Sequence, residues 1–482
     1  MALTPGGSLN VTPASIKATL NTNYLDFTGT TDTTWAQQFL PDLMEKEAEV
    51  FGNRTISGFL SQVGAEESMA ADQVVWSEQG RLHLTYTCTV TTAASNLITI
   101  NDHIDTNAVY AAASHGIRIG DTVILSTATK TVKGVITALP GAETLTVAPY
   151  NSNDLADTRI GMADADTAVI MVYGSEFAKG TAGQTTANEP SFKSYSNKPI
   201  IIKDYYEVSG SDTSKIGWVE VSGEQGQNGY LWYLKAEGDT RARFNDYLEM
   251  SMIESVKGSN DNVVDTYLDN AGGSVGTEGM FAAIESRGNI TTGVDGVDVV
   301  TDLAEFDLIL AEFDKQGSIE ENMLFLNRKT SLAFDDMLAS VNGGYAGGAS
   351  FGVFENEEDM ALNLGFSGFR RGSYDFYKSD WKYLNDKGTR GSINDKDTVG
   401  AVRGVIIPAG VSSVYDQQLG KNLKRPFLHV RYRASNLESR KMKTWTTGSV
   451  GAATSDIDKM GIHFLSERCL IVQGANNFMM MK

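Results

Sequence analysis

The sequence predicts a mixed α+β chain whose parts reach beyond one compact core, and three observations support this. A long amphipathic stretch runs from Tyr230 to Lys257, a block of short Thr/Val/Ile-rich strands is set into a polar excursion, and the N-terminal region carries only isolated apolar anchors. In the first of these, Tyr230, Leu231, Leu234, Phe244, Tyr247, Leu248, Met252 and Val256 recur at steps that gather on one side of a helix. Lys235, Arg243, Asp246, Glu249 and Glu254 fall on the other side. A continuous helix here would be about 42 Å long, with Gly238 as its weak point.

At 482 residues the chain is long enough for two to four domains, and its composition is that of a folded protein. The formal charge of −20, from 60 acidic and 40 basic residues, argues against a sequence-independent grip on nucleic acid, which needs cations to neutralise phosphates. No apolar run is long enough to cross a membrane. The opening MALTPGGSLNVTP has neither a basic n-region nor an apolar h-region, so synthesis in the cytosol is expected, with no propeptide removed. Cys88 and Cys469 are too far apart in sequence for a CxxC site, and two cysteines make no disulfide framework.

In chain order, residues 1–33 read as an extended arm anchored by Ile16, Leu20, Tyr24, Leu25 and Phe27. A helix is expected from Thr34 to Phe51, with Asp32, Thr33 and Thr34 as cap candidates. From Gln73 to Val90, Leu82, Leu84, Tyr86 and Cys88 alternate with polar residues, the pattern of a strand covered on one face. IRIGDTVILSTATKTVKGVITALPGAETLTVAP then reads as three or four short strands of a small barrel, placed at residues 91–168. Val169 to Tyr173 and Pro199 to Val208 are return strands. Beyond the long helix, helices at Thr301–Phe313 and Lys329–Val341 flank a strand at Asn322–Leu326, an α/β layer, with further strands at 404–407, 427–434 and 468–473.

The chain contains no P-loop, HExxH, GxSxG, EF-hand or dinucleotide fingerprint, and no catalytic residue, cofactor or metal site is expected. Its five histidines are scattered. Asp295, Asp298 and Asp302 form an acidic cluster whose chemistry suits either Ca²⁺ or, more commonly, the capping of a helix start. The contrasting feature is basic: Lys421, Lys424, Arg425, Arg431, Arg433 and Arg440, with Lys441 and Lys443, stand together in an acidic chain. On the expected strand, Arg431 and Arg433 share a face with His429. The favoured reading is a patch that meets an acidic surface of another subunit, against the plainer one of a solvated face.

This order of parts resembles the tailed-bacteriophage major capsid proteins of the Hong Kong ninety-seven fold, in particular the larger T-even-like or crAss-like type. The residues that carry the likeness are the thinly apolar arm, the excursion over 73–208, and its return YEVSGSDTSKIGWVEVSGEQGQNGYLWYLKAEGDTRARFNDYLEMSMIESVKG into the long helix. The resemblance implies an N-arm with first helix at 1–60, an E-loop going out over 61–90 and back over 169–208, and an inserted β-barrel at 91–168. It further implies a P-domain with its spine helix at 209–258, an A-domain at 259–420, and a C-terminal return to the P-domain at 421–482.

It implies a non-enzymatic virion protein, made in the bacterial cytoplasm and assembled into an icosahedral shell of hexamers and pentamers. Portal, scaffold and head auxiliary proteins would be its partners, and double-stranded DNA a non-specific cargo. Covalent cross-linking residues are not carried over, because no motif here assigns them. A phage tail or surface-layer subunit is the alternative, followed by an enzyme with a dispersed site, for which Asp335 and Asp336, read as a solvated face, are candidates.

Overall fold

A computed structural model describes residues 58–60, 65–80, 83–103, 115–184, 186–188, 192–213, 221–222, 228–229, 232–258, 263–268, 276–296, 299–317, 319–343, 368–395, 399–409, 411–416, 421–451 and 453–482. The expected arm and the Thr34–Phe51 helix fall outside them. The chain divides into two compact units: Asp72–Lys198, and a body made of Met1–Ala71 with Pro199–Lys482.

The smaller unit holds a ribbon and a barrel. The ribbon pairs β2 (Val74–Gln79) antiparallel with β9 (Phe192–Asn197), Trp76 opposite Tyr195. Between them, β3 (Thr85–Thr92), β4 (Leu97–His103), β5 (Asp121–Thr127), β6 (Thr131–Ala138), β7 (Thr144–Pro149) and β8 (Thr167–Ser175) close in the order β3-β4-β7-β6-β5-β8. Alternation decides what faces in. Tyr86, Cys88 and Val90 from β3, Val123 and Leu125 from β5, Leu145 and Val147 from β7, and Ala168 and Ile170 from β8 fill the interior. At Gly134 a Cβ would lie 2.6 Å from the Ala148 carbonyl oxygen, so only glycine admits the approach of β7.

The barrel is therefore wider than the 91–168 expected. The stretches 85–90 and 169–173, read as limbs of the excursion, are barrel strands, because β3 and β8 must pair with each other to close the sheet. Sequence alternation reports a covered face but not what covers it.

The body contains two sheets. The first has the order β1-β20-β22-β10, formed by β1 (Ala65–Met69), β20 (Leu428–Arg433), β22 (Lys459–Val472) and β10 (Ile200–Ser209), with β21 (Lys443–Gly448) also paired to β22. After β10 come a short antiparallel pair, β11 (Val221–Ser222) with β12 (Asn228–Gly229), and α1 (Trp232–Glu254), which packs against the first sheet and continues through Gly238 without a break. Phe244 and Leu248 of α1 meet Ile462 and Phe464 of β22, while Met252 and Ile253 enter the main core. Three residues depart from the expected pattern: Tyr247 and Val256 of the apolar stripe are exposed, and Glu249 of the polar side is buried. β22, with 14 residues, is more than twice the length expected, since the polar Ser466 and Glu467 that masked its first part in the sequence are covered by neighbouring strands.

The second sheet has the order β13-β23-β17-β14-β16-β15. Its strands are β13 (Asn289–Thr291), β14 (Glu321–Leu326), β15 (Gly368–Arg371), β16 (Tyr374–Asp380), β17 (Gly404–Pro408) and β23 (Met479–Met481). The helices α2 (Met280–Arg287), α3 (Val299–Gln316) and α4 (Arg328–Gly343) accompany it. Phe306, Phe334, Phe369 and Phe376 form its aromatic centre, with ring centroids 5.2–6.2 Å apart. On α4 Leu332 is exposed, and the small Ala333 takes the inward place. The chain end does not stay with the first sheet, because Met479–Met481 is buried between β13 and β17.

Both thiols lie in cores. Burial pushes Cys88 and Cys469 up to about 12. In the native protein at pH 8 neither should react with a disulfide reagent within the time that denatured protein reacts completely. Fast labelling of one thiol would show that its core opens.

Candidate functional site

The basic cluster is built on the first sheet. β1 runs parallel to β20 with Glu67 opposite Arg431, and β20 runs antiparallel to β22. Strand alternation then places Arg431 and Arg433 on one face with Glu67 and Glu467. Arg431 pairs with Glu67 at 2.8 Å, Arg433 with Glu467 at 3.3 Å, and Arg440 with the other oxygen of Glu467 at 3.1 Å. Lys441 pairs with Glu66, and Lys443 with Glu438 at 2.6 Å. Arg468 donates to the Lys441 carbonyl at 2.9 Å and lies 3.9 Å from Glu66.

Arg431, Arg433, Arg440, Lys441 and Lys443, expected to seek an acidic neighbour, thus have carboxylate partners in their own chain. The row forms a seam in which Arg431 through Glu67, and Lys441 and Arg468 through Glu66, fasten residues 65–69 to the C-terminal strands. The signal for it was the acidic pair in AEESM, which becomes meaningful only when the parallel β1–β20 register brings it opposite the arginines. Lys421, Lys424 and Arg425 belong to a separate hairpin, β18 (Val411–Asp416) with β19 (Lys421–Pro426), where they stand opposite Asp416, Ser413 and Ser412.

Glu467 is buried while its two arginines are partly exposed, so solvent screens much of the attraction. Glu467→Ala should cost about 1–2 kcal/mol, less in high salt. Urea unfolding at two salt concentrations measures this, and identical midpoints for variant and parent would mean that the seam contributes nothing.

A second constellation fixes the start of the described chain. Glu249, on the face of α1 read as polar, accepts the backbone N–H groups of Gly58 at 2.6 Å and Phe59 at 3.2 Å. Burial pushes its carboxyl above the ordinary range, opposed by these donors. Next to them Phe59 stacks on Trp381, with centroids 4.4 Å apart. Five residues further along α1, Glu254 accepts the Tyr383 hydroxyl at 2.5 Å and pairs with Arg390 at 2.5 Å. That guanidinium lies 5.0 Å from the Phe281 ring centre.

The remaining candidates have structural employment. Asp302 is buried and accepts the N–H groups of Asp295 at 3.1 Å and Gly296 at 3.2 Å, a loop cap at the start of α3; Asp298 lies outside the described residues. Asp335, read as solvated, is instead buried against Lys378 of β16, whose ammonium also donates to the Ser331 carbonyl at 3.2 Å. Among the described residues no three His, Cys, Asp or Glu side chains gather as metal ligands, and no helix is long and apolar enough to cross a membrane.

A depression of about 520 Å³, open to solvent, is lined by Lys203, Asp204, Tyr205, Trp445, His463 and Phe464. A row of rings crosses β10, β22 and β21 here: Tyr205 and His463 have centroids 4.6 Å apart, and Trp445 stacks on His463 at 5.0 Å.

No family model matches the sequence, and no curated protein matches it. Solved structures do. The chain is similar to the capsid structure of the cyanophage P-SCSP1u, at 9% identity and a TM-score of 0.40, over 96% of this chain and 98% of that one. It is similar to a structure from Microbacterium phage Oxtober96, at 9% identity and a TM-score of 0.39, over 93% and 97% of the two chains. A third likeness is to the cyanophage Pam1 capsid asymmetric unit, at 11% identity and a TM-score of 0.35, over 64% of this chain and 81% of that one.

Proposed function

We propose that the chain is a major capsid protein, which self-assembles in hexamers and pentamers into the icosahedral head of a tailed bacteriophage. It is a structural protein of the virion and not an enzyme. The observation that carries the reading is the way the chain is divided. Between β1 and β10 of the body, the polypeptide leaves to build a ribbon and a closed barrel with its own core, and after it returns it runs into a 23-residue helix. A two-stranded ribbon is marginally stable by itself, and one that carries a barrel gives a subunit a second body with which to grip its neighbours.

On this reading the ribbon and the strands leading to it are the E-loop. The barrel is the insertion, lying on the outer face or between subunits. The first sheet with α1 is the P-domain with its spine helix, and the second sheet is the A-domain. Residues 1–60 form the N-arm, and Lys421, Lys424 and Arg425 remain the inter-subunit contacts of the basic cluster. The acidic balance keeps packaged DNA from adhering to the shell. Portal, scaffold and head auxiliary proteins are the expected partners. Sedimentation of the purified chain, followed by electron microscopy, tests the reading: megadalton closed particles are expected, and a lasting monomer or open tubes would overturn it.

A further inference from the structure

β10 is an edge. Among the described residues it pairs with β22 alone, in an unbroken antiparallel register from Ile200 opposite Arg468 to Ser209 opposite Lys459. Its burial agrees. Ile202 and Tyr206, which face α1, are only half-buried, whereas Ile462 and Phe464, paired or nearly paired with them on β22, are buried. On the opposite face Ile201, Lys203, Tyr205 and Glu207 are exposed. A ten-residue edge without proline or bulge is a template for another strand unless something covers it.

The order of residues along this edge says what fits. An antiparallel copy of the same strand, centred on Tyr205, brings Tyr205 opposite Tyr205 of the copy, Lys203 opposite its Glu207, and Glu207 opposite its Lys203. Ile202 then meets Val208 on the face of α1. Partners have the same parity throughout, so like faces stay together and the two-fold axis stands perpendicular to the sheet. Shifting the centre by one residue either way separates both lysine–glutamate pairs.

Lys203 is suited to this role, since its ammonium makes no hydrogen bond or ion pair with the side chains of the described residues, while Glu207 already holds Lys459 at 2.6 Å. Adjacent strands lie about 4.8 Å apart, so the two α1 helices, each seated over β10 and β22, would pass side by side at roughly 10–14 Å.

We propose that β10 is a self-complementary docking edge, through which two copies of this chain join their first sheets in antiparallel register about Tyr205. This deepens the proposed function by naming one contact between subunits. Strands in that register have opposed Cα atoms about 4.5–5.5 Å apart, within disulfide reach. Tyr205→Cys in the full-length protein should therefore give a covalent dimer under mild oxidation. Lys203→Cys should not, because four residues of strand put it roughly 14 Å from its own copy. The native thiols are buried and do not compete.

Independently, Lys203→Glu should weaken self-association about tenfold by placing like charges opposite each other twice. Adding Glu207→Lys to it should restore the association. The pairing is overturned if Tyr205→Cys, folded by its circular-dichroism melt, yields no dimer, or if both cysteine variants cross-link equally. Closed shells that form without the Tyr205→Cys cross-link would overturn this contact alone and leave the capsid reading in place.

Discussion

Glu249→Ala is expected to destabilise the body by about 2–3 kcal/mol, because it leaves the N–H groups of Gly58 and Phe59 without their acceptor and empties space beside α1. Denaturant unfolding measures the loss, and a change below about 0.5 kcal/mol would mean that water replaces the carboxylate fully. The pH dependence has an unusual sign. Most carboxylates with folded-state partners titrate low and stabilise from neutral pH downward until they are protonated. Here burial raises the folded carboxyl above its ordinary 4.5, so the folded state holds the proton more tightly than the unfolded one. The linked stabilisation is therefore complete below 4.5 and is lost as pH rises through the raised folded value. Relative to Glu249→Gln, the parent should gain stability as pH falls through that window; a parent that loses stability there would show that the hydrogen bonds outweigh the desolvation.

The second large effect concerns where the barrel can be cut. Removing residues 91–168, the limits expected from composition, should give insoluble protein. It leaves most of β3 and β8 in place with Tyr86, Cys88, Val90 and Ile170 turned toward an interior that no longer exists. Removing residues 86–170 and joining Thr85 to Met171 through an Asn-Gly turn should leave a soluble chain, because those two residues already face each other across β3 and β8. Yield in the soluble fraction and the melting profile separate the two. Soluble, cooperatively folding protein from the shorter deletion would mean that β3 and β8 do not depend on the barrel. Under the capsid reading, comparing particles of the soluble deletion with those of the parent then reports what the barrel contributes to assembly.

Much of the scaffold was legible because periodicity is local. The stripe through Phe244, Leu248 and Met252 identified α1, and alternation in 121–149 identified barrel strands. Errors cluster where a residue's environment comes from a distant segment. Glu249 read as solvated because its neighbours on the helix are polar; its partners lie 190 and 191 residues away. Asp335 read the same way, and Lys378 covers it from another strand. The basic cluster stood out as unbalanced charge, although the carboxylates that meet Arg431 and Lys441 are in β1, more than 360 residues earlier by subtraction of Glu67 from Arg431.

By itself the sequence settled the long helix α1, the two helices and the strand of the α/β layer, that a barrel interrupts an excursion, and that the usual catalytic motifs are absent. Those properties depend on spacing within a turn or a strand pair, which short stretches of chain carry. The tertiary structure alone decided which strands close the barrel, which charges are paired and which sheet edge stays open. Each of these requires knowing what lies across a strand or behind a helix, and hydrogen-bond ladders between segments hundreds of residues apart leave no periodic trace in either one.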